Sequence, residues 1–110
     1  TSATTSRGTG AHKKGMLTSN EPGYYKENEY GIRIENLMIC EEVNENKLDS
    51  FLKFKAVTLF PISSKLMDLT MLDEKEKVWI NDYHSEVYEK LSPSLNEEEI
   101  KWLKRQCEAI

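Results

Sequence analysis

The sequence predicts an α+β fold, with antiparallel strands in its first half and helices in its second. Three observations carry that assignment. The runs Ser19-Asn20-Glu21-Pro22-Gly23-Tyr24-Tyr25 and Tyr30-Gly31-Ile32-Arg33-Ile34-Glu35-Asn36 flank a short polar connection and read as a β-hairpin. Leu52, Phe54, Ala56, Thr58 and Phe60 alternate with Lys53, Lys55, Val57 and Leu59, the period of a strand. Beyond Leu72 the apolar residues recur at helical spacing, behind residues that cap helix N-termini.

A chain of 110 residues has room for one small domain. Its hydrophobic share of 38% and mean hydropathy of −0.64 are modest for a self-sufficient core. A net charge of −4 and a pI near 5.2 argue against a nucleic-acid partner, which calls for a basic face. No signal peptide is recognisable and no apolar run is long enough to span a bilayer. Cys40 and Cys107 do not form a disulfide framework, so the expected location is the reducing cytoplasm, without membrane attachment.

In chain order, residues 1–12 are rich in Thr, Ser and Gly and are expected to be disordered or an appended leader. Residues 16–20 and 32–42 are expected to be strands of the hairpin. Residues 43–50 have the polar composition of a loop. The third strand follows and Pro61 ends it. Leu72 before Asp73, with Glu76 three residues on, has the form of a hydrophobic staple plus capping box. Trp79, Ile80, Tyr83, Val87, Tyr88 and Leu91 then form an apolar stripe, read as core or interface, and Ser92-Pro93 stops the helix. Asn96 with Glu99 caps a second helix, on which Ile100, Leu103 and Cys107 share a face. His84 has no acidic or thiol partner at ligand spacing and reads as structural. His12 reads as an exposed histidine without a role.

The hairpin carries the chemistry. If Glu21 faces Glu35, then Gly23 faces Arg33 and Tyr25 faces Gly31, and alternation puts Glu21, Tyr25, Arg33 and Glu35 on one face. Carboxylates on directly opposed positions lie about 4.5–5.5 Å apart at Cβ and repel. They call for a shared proton, a base such as Arg33, or a divalent metal held by oxygen ligands. Pro22 cannot donate to a ladder and belongs at an edge or bulge. Glu35, set among Ile32, Ile34, Leu37, Met38 and Ile39, is an expensive residue to leave unpaired.

Gly15-Met16-Leu17-Thr18-Ser19-Asn20-Glu21-Pro22-Gly23-Tyr24-Tyr25 and Gly31-Ile32-Arg33-Ile34-Glu35-Asn36 together resemble the end of the metal site in Xaa-Pro aminopeptidases, the aminopeptidase P branch of the pita-bread metallopeptidases. Leu59-Phe60-Pro61-Ile62, Lys65-Leu66-Met67-Asp68, Trp79-Ile80-Asn81-Asp82-Tyr83-His84 and Leu91-Ser92-Pro93 continue the likeness, which runs from Lys13 to the C-terminus. It implies residues 13–62 as the last strands of a pita-bread catalytic domain and residues 63–110 as a helical extension. It further implies a site of two divalent metal ions, manganese or zinc, bound by two Asp, one His and two Glu. Glu21 matches the Glu that binds one metal and acts as general base. Glu35 matches the Glu that bridges both. Tyr25 and Arg33 match residues lining the site. The Asp and His ligands have no counterpart in this chain; Gly8-Thr9-Gly10-Ala11-His12 is too close to Glu21, and interrupted by Ala11, to supply the His.

The implied reaction is removal of the N-terminal residue from a peptide with proline second, by the full-length protein, the 110-residue chain alone being inactive. A prolidase or methionine aminopeptidase is the alternative within the fold, disfavoured by Tyr24-Tyr25 and the helical tail. A non-catalytic pita-bread binding protein is the alternative outside enzymes, disfavoured by retention of both Glu. The chain by itself is expected to form a homodimer or to self-associate through open strand edges and apolar faces.

Overall fold

The computed structural model of the chain describes residues 10–46 and 49–110, and the side chains outside positions 44–50. Two compact units meet in sequence between Thr58 and Leu59: a β unit and a helical unit.

In the first unit β1 (Leu17–Asn20), β4 (Asn36–Asn46) and β5 (Asp49–Ala56) form an antiparallel sheet in the order β1-β4-β5. Strands β2 (Gly23–Lys26) and β3 (Tyr30–Arg33) form a second, two-stranded ladder. The two ladders are in step: Asn20 pairs with Asn36 at the end of one, and Gly23 with Arg33 at the start of the other. They are the outer and inner parts of a single hairpin. Between them the Ile34 N–H donates to the Pro22 carbonyl at 3.2 Å, but Pro22 has no N–H to return the bond. Pro22 therefore interrupts pairing without shifting the register. At the tip, the Glu29 N–H donates to the Lys26 carbonyl at 3.1 Å and Asn28 takes φ 58°. Asn accepts this left-handed conformation readily because its short polar side chain bonds locally.

Residues 43–46, 49 and 50 are strand and not the loop that the composition of residues 43–50 predicts; residues 47 and 48 lie outside the described residues. Strand β4 continues to Asn46 and β5 begins at Asp49, with Asn46 facing Asp49. The ladder extends because backbone bonding is indifferent to side-chain polarity, and because Glu41 faces Lys53 and Val43 faces Phe51 across it. The irregularity there is a register shift between Val43 and Asn46. The third strand also ends earlier than Pro61. Past Ala56 the Val57 N–H still donates to the Leu37 carbonyl at 2.8 Å, and then the Thr58 hydroxyl, not a backbone carbonyl, accepts the Leu37 N–H at 2.8 Å. Cys40, facing Phe54, is the buried residue of this unit among the described ones. His12 is half-buried rather than exposed, its ring edge-on to Phe54 at 4.9 Å. Of the expected leader, residues 1–9 lie outside the described residues.

The helical unit follows its local signals closely. Helix α1 (Glu74–Leu91) starts at a complete capping box: Asp73 accepts from the Glu76 N–H at 2.8 Å, and Glu76 accepts from the Asp73 N–H at 3.0 Å. Helix α2 (Glu97–Gln106) repeats the device with Asn96 and Glu99, both bonds at 2.9 Å. Ser92 ends α1 and Pro93 sits in the 3-10 turn that follows. Ile80, Tyr83, His84 and Val87 from α1 and Leu103 from α2 are buried. Trp79 is the exception in the stripe, 52% exposed and stacked on Tyr83 with centroids 5.5 Å apart.

Adjacent residues of α1 clamp the incoming chain. The Tyr83 hydroxyl donates to the Phe60 carbonyl at 2.8 Å, and His84 Nε2 accepts the Ile62 N–H at 3.0 Å, with Pro61, between them in sequence, buried. His84 is thus structural, as its isolation in sequence predicts. Accepting through Nε2 fixes the neutral imidazole, with its proton on Nδ1. Burial holds the His84 pKa below the ordinary histidine value of 6.5. The sign follows: the unfolded state takes up a proton that the native state refuses, so this contribution is full above pH 6.5 and is lost as pH falls below it. Amide-exchange protection at Ile62 is expected to fall across that range, and His84→Gln, whose carbonyl can accept without titrating, is expected to flatten the dependence.

Candidate functional site

The register brings the sequence-predicted residues together on the hairpin. Because Pro22 and Ile34 form a hydrogen-bonded pair, the flanking pairs 21/35 and 23/33 are of the close, non-hydrogen-bonded kind. Glu21 and Glu35 are therefore carried to opposed positions at the gap between the ladders, where no paired strand confines them. Glu21 is half-buried there, and the Glu35 side chain is 41% exposed. Arg33, two residues before Glu35 on the same face, pairs with it at 3.2 Å (Nη2 to Oε2). At this exposure such a pair adds only about 0–1 kcal/mol to stability. Its consequence is geometric: it orients one carboxylate and offsets one of two like charges.

Tyr25 belongs to the same face and is held in a particular way. It faces Gly31 across the ladder, and its ring lies down along the hairpin, from above Gly31 to above Gly23. An added Cβ on Gly31 would stand 2.6 Å from Tyr25 Cδ1, and one on Gly23 would stand 2.9 Å from the hydroxyl. The hydroxyl end thus points toward the row holding Arg33. These two glycines were missed as site residues in the sequence. The signal was present, since each falls opposite, or two positions from, an aromatic residue on one face.

No group of three or more His, Cys, Asp or Glu able to hold a metal ion occurs among the described residues. The chemistry of the donor set fits a metal in part: two opposed carboxylates are oxygen donors for a divalent ion, but fall short of a coordination sphere. His12 and His84 supply none of the missing donors. One is packed on Phe54 and the other is committed to Ile62 in the helical unit.

The hairpin with its opposed glutamates and the two-helix extension after it match known proteins over most of this chain. The profile for the C-terminal region of peptidase M24 matches residues 50–110. A probable Xaa-Pro aminopeptidase P of Coprinopsis cinerea is 49% identical over 105 residues, covering 91% of this chain and 17% of that protein. A second, from Arthroderma benhamiae, is 47% identical over 99 residues, covering 86% of this chain and 14% of that protein. The crystal structure of X-prolyl aminopeptidase from Caenorhabditis elegans, described as a cytosolic enzyme with a di-nuclear active site, superposes with a TM-score of 0.82 at 36% identity over 93% of this chain and 18% of that one. The chain belongs to the peptidase M24 family, among the Xaa-Pro aminopeptidases, and spans 14–17% of the length of these two curated relatives.

With two carboxylates and no third donor group among the described residues, the 110-residue chain is expected to bind manganese weakly, with a Kd no tighter than about 1 mM, the range of sparsely provided oxygen sites. Calorimetric titration checks this, and saturable micromolar binding contradicts it.

Proposed function

We propose that the chain is the C-terminal portion of a cytoplasmic Xaa-Pro aminopeptidase, which removes the N-terminal residue from peptides with proline second. The observation that carries the reading is the in-step hairpin, which opposes Glu21 to Glu35 and gives Arg33 to Glu35. In this reading Glu21 and Glu35 help hold two divalent metal ions, manganese or zinc, completed by donors from outside the chain. When bound, the metal pair supplies Lewis acidity at the scissile carbonyl. Glu21 takes a proton from the attacking water and delivers it to the departing proline nitrogen, the work of a general acid-base residue. Arg33 holds Glu35 in orientation, because a carboxylate that ligates must itself be fixed by hydrogen bonds. Tyr25 lines the same face.

Residues 13–62 are then the last strands of the catalytic domain and residues 63–110 its helical extension; the boundary between compact units falls nearby, at Thr58 and Leu59, with residues 59–62 on the helical side. A non-catalytic binding role is disfavoured because both glutamates are kept in register. Among the described residues no helix is long and apolar enough to cross a membrane, which fits a cytoplasmic enzyme without requiring one.

The full-length protein is expected to cleave Xaa-Pro peptides and the 110-residue chain is not; comparable turnover by the short chain would overturn the reading. In the full-length protein Glu21→Gln and Glu35→Gln should each lower kcat by on the order of 100-fold or more. Elemental analysis separates their roles: metal content should drop in Glu35→Gln and be largely kept in Glu21→Gln, and equal loss in both contradicts the division.

The isolated chain should also self-associate. Leu17, Phe51 and Leu52 are at least half exposed, and Ile32, Ile34, Leu37 and Phe54 are exposed as well. Strands β1 and β5 are the edges of their sheet. Light scattering at micromolar concentration is expected to show dimers or larger species; a monodisperse monomer would rule this out.

A further inference from the structure

Gly31 and Gly23 need explaining, because neither has a positive φ: among the described residues the positive-φ glycine is Gly15. Their backbones are open to any residue, so conformational freedom is not what glycine supplies here. In a strand interior glycine is otherwise a weak choice, lacking a side chain to pack and losing more entropy on folding. What both positions supply is room. Tyr25 and Gly31 face each other in a non-hydrogen-bonded pair, by the same alternation that sets pairs 21/35 and 23/33, and at such a pair side chains approach most closely. With no Cβ on Gly31 the tyrosine ring lies flat across the ladder instead of standing away from it. An aromatic ring laid over a facing glycine covers the bare backbone and helps fix register.

The direction in which the ring lies ties this packing to the site. From Cδ1 over Gly31 the ring runs back along the face to its hydroxyl over Gly23, whose cross-strand neighbour is Arg33. Standing upright, Tyr25 would present its hydroxyl away from that row. Resting on the proposed aminopeptidase reading, we infer that Gly31, assisted by Gly23, is a positioning residue for the reaction: it leaves the space in which Tyr25 lies down and brings its hydroxyl to the face of Glu21, Arg33 and Glu35. The two glycines are not equivalent. A Cβ at Gly31 meets the ring near its attachment, at 2.6 Å, so the whole ring must turn away from the ladder. A Cβ at Gly23 meets the hydroxyl end, at 2.9 Å, which a small tilt relieves.

A double-mutant cycle in the full-length protein tests this, with kcat and KM on an Xaa-Pro peptide and the melting temperature measured for Gly31→Ala, Tyr25→Ala and the double variant. Relieving a 2.6 Å contact displaces the ring by about 1 Å, and misplacement of that size costs on the order of 10- to 100-fold in rate. Gly31→Ala should therefore lower kcat by at least about tenfold, with Gly23→Ala milder. In the Tyr25→Ala background Gly31→Ala should change neither kcat nor melting temperature, because the ring it collides with is gone. Additive losses in kcat overturn the inference, since they place the glycine's role in the strand itself. Coupling in melting temperature without coupling in kcat also overturns it, reducing the contact to packing. If the unmodified protein turns over no Xaa-Pro peptide, the proposed function fails and the positioning role with it, while the melting cycle still reads the packing separately.

Discussion

The β unit depends on one constraint: a hairpin that holds a single register through a residue unable to pair. Pro22 can accept from Ile34 but cannot reciprocate. A shift of one residue at this break would have turned every side chain beyond it to the opposite face. The in-step ladders on either side prevent that, so the gap loosens the strands locally while the alternation of faces survives. The result is a short opening in a sheet, with two carboxylates facing each other across it. A fully paired ladder would confine them; a loop would leave them unrelated.

The legible parts of this chain are those whose cause is local. Asp73 with Glu76 and Asn96 with Glu99 announce helix starts because each capping box closes within one turn. The hairpin register could be read because only one alignment faces Glu21 with Glu35, Gly23 with Arg33 and Tyr25 with Gly31, and the short tip leaves no slack. The misread parts are those whose cause is distant. Residues 43–46 look like loop, yet β5 supplies a partner strand that no local pattern reveals. The clamp of Tyr83 and His84 on Phe60 and Ile62 joins residues more than twenty positions apart, and nothing in the periodicity of α1 distinguishes a buried hydrogen-bonding histidine from a packed one. Gly23 and Gly31 were read only as register partners of Arg33 and Tyr25, when what matters is the space above them.

The helical unit shows a different way of fixing an irregular segment. Between Leu59 and Ser63 the backbone belongs to no helix or strand, and its polar groups still need partners where they are buried. Side chains of α1 provide them: Tyr83 serves both backbone groups of Phe60, at 2.8 and 3.5 Å, and His84 serves the Ile62 N–H. Asn81 does the same for Ile110, accepting its N–H at 2.9 Å and donating to its carbonyl at 3.3 Å. Three polar residues within one turn of a single helix thus tie down two stretches that have no ladder of their own. A helix face that reads as an apolar stripe is here also a row of backbone receptors.

Charge bookkeeping on the hairpin face explains why the arrangement can exist before any ligand arrives. Two opposed carboxylates alone would push the strands apart at the point where Pro22 has already weakened them. Arg33 is placed to prevent this, being cross-strand from Gly23, where no side chain competes for space, and two residues from Glu35, where alternation returns it to the same face. Its guanidinium compensates Glu35 and leaves Glu21 without an ion-pair partner among the described residues. The face therefore carries one uncompensated negative charge beside one charge already oriented. That asymmetry, Glu35 held by Arg33 and Glu21 left without such a partner among the described residues, arises from the order of residues along two strands.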